Sequence, residues 1–248
     1  MFSIIIRTLI IILCLHGHRA DAQKKGNITV RMNHFAAAEK LVAGGLYKNS
    51  YGETYTIDRL KYYISGIKLI STDGNAVMES GDPCYLVYSD DELSGTITFE
   101  VSEGRYSAIS FLLGVDSLYN VSGAQTGALD PVNGMFWTWN TGYVSIKIEG
   151  RSPLSNLPQH LIEYHLGGFK GPDNVNQRID LLFPGGNTDT KENKTTMIRV
   201  KTDVNSFFNS VHSLPIKNNP ACTSPGRLAR QYSENYARIF SIDKVEYK

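Results

Sequence analysis

Two side chains near the start of the chain have the types and spacing to hold a soft metal ion. Met32 and His34 lie in the run 27–34, NITVRMNH, where apolar and polar residues alternate. That alternation predicts a strand, and residues two apart on a strand point to one face. A thioether beside an imidazole suits Cu(I), which favours soft ligands. A third candidate, His165, stands in Tyr164-His165-Leu166-Gly167-Gly168, at the end of another predicted strand. Taken alone, a histidine in that place is by default a structural residue. The acidic pair Asp90-Asp91 reads as a solvated turn. No H-E-x-x-H, G-x-S-x-G, G-x-G-x-x-G or P-loop pattern occurs, so nothing indicates a catalyst.

Both tryptophans, Trp137 and Trp139, sit two apart in GALDPVNGMFWTWNTGY, residues 127–143. If that run is extended, the two indoles share one face. Three roles stay open for the pair: core packing, a carbohydrate platform, or part of a redox-active metal neighbourhood.

The elements that must position these residues are mostly strands. The 248 residues hold 14 Tyr and 22 Gly, a composition suited to short strands joined by turns. Strands are predicted over 27–34, 55–71 (interrupted by Gly66), 85–89, 95–101, 106–115, 142–149, 161–166, 178–183 and 196–204. Residues 203–209 read as a short helical turn capped by Asp203. The polar stretch 185–195 reads as an exposed hairpin loop. The one convincing helix is 225–240, with Leu228, Tyr232, Tyr236 and Ile239 as its apolar stripe. The pattern predicts an all-β fold, an antiparallel β-sandwich or barrel with one C-terminal helix, in a single domain over residues 23–248.

Residues 1–22 have the look of an export signal: a short apolar run after Arg7, then Ala20-Asp21-Ala22 as an A-x-A cleavage site. Their removal would carry off Cys14, leaving Cys84 and Cys222, which in an exported chain read as one disulfide. It would also leave basic and acidic side chains in equal number. The whole chain already balances 25 Lys and Arg against 24 Asp and Glu, which argues against nucleic-acid binding. No later apolar run is long enough to span a membrane as a helix.

The segments 111–117 (FLLGVDS), 127–131 (GALDP), 135–143 (MFWTWNTGY) and 164–168 (YHLGG), in that order, resemble the MbnP-like copper-binding domain family. LKYYISGIKL (60–69) and NYARIF (235–240) extend the likeness over almost the whole chain after residue 22. Met-Phe-Trp-x-Trp-x-x-Gly-Tyr is its most specific string. The likeness is strongest to secreted members of the Bacteroidetes type. It implies an extracytoplasmic, monomeric β-sandwich, periplasmic or secreted, that holds or hands on copper without catalysis. In methanotroph members copper is held by two histidines and an oxidised tryptophan (kynurenine). One histidine and that tryptophan lie two apart on an N-terminal strand. His34 matches the first histidine and His165 the second. The tryptophan position falls on Met32, which would stand in as a thioether ligand. The family also implies a dihaem peroxidase partner, and calcium in some members, for which Asp116, Asp130 and Asn133 would supply oxygens. The rival expectation is a surface glycan- or protein-binding module displaying Trp137 and Trp139, its metal site decayed.

Overall fold

Burial with a period of two runs along most of the long strands, and it decides which side chains meet. The computed structural model describes residues 24–78, 82–138 and 142–248. Residues 1–22, expected to be an export signal, and Trp139 lie outside the described residues. The strands are β1 (Lys25–Ala36), β2 (Glu39–Lys40), β3 (Leu46–Lys48), β4 (Thr54–Ser71), β5 (Ala76–Met78), β6 (Cys84–Tyr88), β7 (Thr96–Ser102) and β8 (Gly104–Leu113). They continue with β9 (Phe136–Thr138), β10 (Gly142–Arg151), β11 (Leu161–Gly167), β12 (Gln177–Leu182), β13 (Thr188–Thr190), β14 (Thr195–Asp203), β15 (Ala221–Cys222) and β16 (Phe240–Tyr247). Three short helices are α1 (Ser117–Val121), α2 (Asn205–Phe208) and α3 (Arg227–Tyr236).

The smaller sheet runs β16-β14-β1-β2, with β7 also on β1. The larger runs β12-β8-β4-β10-β11-β15. The long strand β4 organises the larger sheet. Ile64 pairs with both Tyr85 of β6 and Leu113 of β8, and Tyr62 with both Val87 of β6 and Ile146 of β10. Therefore β6 lies along one edge of β4, while β10 and β8 follow each other along the opposite edge. Gly66 does not end the strand. It takes φ +56, and the pairing with β8 skips from Ser65 to Lys68, a bulge that bends β4 between its two partners.

The all-β expectation holds, but the sheets are mixed rather than antiparallel. β1 pairs with β14 in parallel from Asn27 to Phe35, and β11 with β15 in parallel. Strands so far apart in sequence are free of the hairpin constraint that forces neighbours to be antiparallel. The two sheets share one apolar core, including Ile28 and Val30 of β1, Tyr62 of β4, Phe111 of β8 and Tyr164 of β11.

The C-terminal helix is shorter than the apolar stripe suggests. α3 ends at Tyr236, and β16 follows and pairs with β14 from Thr202 to Thr196. Tyr232 and Tyr236 are buried as expected. Asp203 does not cap α2 at its N-cap, which is Val204; its carboxylate accepts instead from Asn205 N and Ala37 N.

The expected disulfide is corrected, because Cys84 and Cys222 are both free and buried. Cys84 lies on β6, opposite Ser65 of β4. Cys222 lies on β15, opposite Tyr164, which pairs with Ile148 and through it aligns with Leu60. Three strands separate the two sites. At ~4.8 Å per strand that is about 19 Å across the sheet, against a limit near 7 Å between Cα atoms for a bridge.

Candidate metal site

The inward face of β1 carries Ile28, Val30, Met32, His34 and Ala36, all buried. Met32 and His34 are therefore on one face, as their spacing predicts. The Cα atoms of residues two apart on a strand lie about 6.7 Å apart, within reach of a shared ligand for side chains of this length. Both retain only 6% of their surface exposed, and both line a cleft of about 430 Å³. One wall of the cleft is residues 40–43, and the other includes residues 88–92 and Gly95.

His34 is oriented by a residue that sequence reasoning missed. Its Nε2 lies 3.0 Å from the hydroxyl oxygen of Tyr62, and the rings meet edge to face at 5.7 Å. Tyr62 comes from the inward face of β4 and is fully buried. No described protein group pairs with His34 Nδ1. Burial lowers the imidazole pKa to about 4, so the ring is neutral at physiological pH. Burial also raises the phenol of Tyr62 well above its ordinary value. A neutral ring with one nitrogen held and the other unpaired has the form a metal ligand takes.

The structure does not bring His165 to this site. On β11, Ile162, Tyr164 and Leu166 are fully buried in the core, so His165 points the other way. It stands opposite Lys147, which stands opposite Lys61, on the outer face of the larger sheet. Tyr62, which touches His34, belongs to the inner face of that sheet. The sheet itself thus lies between the two histidines, and metal–nitrogen bonds of about 2 Å cannot span it. His165 serves a different network. Its Nε2 lies 2.8 Å from Glu149 Oε1, and Arg59 and Lys147 flank the same carboxylate. Hydrogen bonding from His165, then the charges of Lys147 and Arg59, hold the Glu149 carboxyl near a pKa of about 2 against the opposing effect of burial.

The calcium candidates carry local structure. Asp116 caps α1 by accepting from Leu118 N at 2.8 Å. Asp130 accepts from Val132 N at 2.9 Å to start a 3-10 turn. Asn133 turns its amide NH2 toward the carbonyls of Gly127 and Ala128. Among the described residues no three His, Cys, Asp or Glu side chains gather as a metal-holding group.

The tryptophan string builds a second, smaller core on the outer face. Met135, Tyr143 and Val144 are buried there with Tyr63, Cys84, Val115 and Leu129, and Trp137 packs against them. Tyr143 Oη donates to Leu129 O, and Tyr63 Oη to Ala128 O. Gly167 makes room for the indole, since a Cβ there would lie 2.5 Å from Trp137 Cζ3. Trp137 is thus a packing residue rather than a displayed platform.

Comparison with known proteins agrees with this architecture. Among solved structures, that of MbnP from Methylosinus trichosporium is similar to this chain with a TM-score of 0.58 and 14% identity, over 90% of this chain and 99% of that one. At that identity the likeness carries the fold. No curated protein matches the sequence. The MbnP family profile matches residues 25–224, from the first residue of β1 to just beyond β15. On that match, the chain belongs to the MbnP family.

Proposed function

We propose that this protein binds copper outside the cytoplasm, taking Cu(I) on the inward face of β1 through Met32 and His34. The observation that carries the reading is the state of His34: buried, neutral, held at Nε2 by Tyr62, and unpaired at Nδ1 among the described residues. Ligation through Nδ1 requires the proton to sit on Nε2, from which it is donated to the Tyr62 oxygen. Tyr62 then fixes both the tautomer and the ring plane, the usual task of a group behind a ligating histidine. Met32 supplies a thioether, which together with a neutral imidazole favours Cu(I) over harder ions. The site holds and hands on the ion without catalysis. It does so without the two-histidine set, because His165 faces away.

Export by residues 1–22 places the protein in the periplasm or outside the cell in this reading. The reading needs no dihaem peroxidase partner, since position 32 offers no tryptophan to oxidise.

Competitive titration of the mature chain with Cu(I) and a chromophoric chelator tests the assignment. One ion per chain is expected. His34→Ala and Met32→Leu should lose it, and Tyr62→Phe should weaken it about 10- to 100-fold. His165→Ala should bind like the parent. Parent-like binding by His34→Ala would overturn the site.

A further inference from the structure

Met32 and His34 lie at the floor of the cleft, each only 6% exposed. Parting of the walls would expose more of both side chains to whatever enters the cleft. The wall formed by residues 89–95 is a small body closed on itself. Ser94 Oγ bonds Tyr88 N at 2.9 Å and donates to the carbonyls of Tyr88 and Asp91. Leu93 N donates to Asp91 Oδ1, and Gly95 N to Asp91 O. Its far end is fastened to the floor, with Met32 N donating to Gly95 O at 2.9 Å.

One side chain ties this body across the cleft. Glu92 Oε1 lies 3.3 Å from Lys40 Nζ, on the opposite wall, and Glu92 Oε2 lies 2.5 Å from Arg31 Nη2 on β1. Glu92 and Lys40 are about two-thirds exposed. Exposed ion pairs of this kind are weak and screened by salt, which suits a fastening that must open.

We propose that residues 89–95 are a flap over the Met32–His34 cleft and that Glu92 is its latch. The latch sets how fast the floor exchanges with solvent; that the exchanged species is Cu(I) rests on the function proposed above. Glu92 acts as a positioning residue and touches neither Met32 nor His34.

The test uses two probes on the same full mature chain. The first is hydrogen peroxide on the metal-free protein. It transfers one oxygen to the Met32 thioether, giving the sulfoxide and water, and the rate is read by peptide mass mapping. Glu92→Gln and Lys40→Gln should each oxidise Met32 about two- to five-fold faster than the parent, as the loss of a weak exposed tie allows. Met135, buried in the other core, should keep its parent rate, which separates flap opening from general loosening. The second probe is release of Cu(I) to excess chelator. Both substitutions should speed release by a similar factor. A simple field effect would move them in opposite directions, because one removes a negative charge and the other a positive one.

Unchanged Met32 oxidation in both variants would overturn the latch. Faster oxidation with Met135 unchanged would support it even if the parent takes up no Cu(I), and that outcome would overturn the copper reading alone.

Discussion

Acid should destabilise this protein through His34, and the size of the effect follows from its burial. The folded-state pKa is about 4, against 6.5 for an ordinary histidine, because the two packed sheets remove the ring from water. Above pH 6.5 both folded and unfolded chains keep the ring neutral, and the site exacts no proton-linked penalty. Between pH 6.5 and 4 the unfolded chain takes up a proton that the folded chain refuses, so stability falls as pH falls. At up to 1.36 kcal/mol per pH unit, the drop from pH 7.5 to 4.5 removes about 2 to 3 kcal/mol. Urea unfolding of the metal-free mature chain at pH 7.5 and pH 4.5, beside His34→Gln, measures it. Glutamine keeps a polar group for Tyr62 but cannot titrate. Carboxylates such as Glu149 and Glu234 are common to both proteins and cancel in the difference. With a slope near 3 kcal/mol per molar urea for a chain of this size, the parent midpoint should fall by roughly 0.9 M more than the variant's. Equal losses in the two proteins would refute the account of His34 as a buried neutral ring.

Three further outcomes follow from other parts of the fold. Tyr236 Oη is buried without a hydrogen-bond partner among the described residues, so Tyr236→Phe should raise stability by about 1 kcal/mol in thermal unfolding; destabilisation would mean that the hydroxyl has a partner. Gly167→Ala should drive a methyl into Trp137 and cost about 1–3 kcal/mol, with a red-shifted tryptophan emission. Non-reducing mass spectrometry of the mature chain should find two free thiols, slow to react until the chain is unfolded, because burial pushes Cys84 to about 12 and Cys222 to about 11; a Cys84–Cys222 bridge would contradict the strand order of the larger sheet.

What was legible in the sequence was local. Alternation marks β1, β7 and β14 because one face of each is buried, and the run 106–115 reads as apolar because residues 108–111 are buried on both faces. Spacing alone puts Met32 and His34 on one face of β1. β16 escaped notice because its alternation is blurred by Asp243 and Lys244, and the preceding stripe of Tyr232, Tyr236 and Ile239 keeps helical spacing past the point where the chain turns. The parallel pairing of β1 with β14 was not legible, since no short-range signal records which distant strand a strand will join. The disulfide expectation failed for the same reason. It counted cysteines in a presumed compartment, while their separation depends on the order β6-β4-β10-β11-β15.

The same division between local and distant information explains how the site itself was read. The likeness to the MbnP family points to β1, and it pairs His34 with His165 because both stand in matching contexts along the chain. Strand parity decides otherwise. Leu166 and Tyr164 must face the core, so His165 between them cannot, whatever its neighbours in sequence. By the same rule Tyr62 must face inward, between Lys61 and Tyr63, which do not. Parity around Tyr62 and His165 was readable from the alternation of each strand; what was missing was that β4 lies across from β1. Once that packing is fixed, the partner of His34 is Tyr62, and the most specific family string, Met135-Phe136-Trp137, belongs to the far side of the larger sheet. The motif that identifies the family and the Met32–His34 pair thus lie on opposite sides of the larger sheet, so the packing that keeps the string does not depend on the residue at position 32.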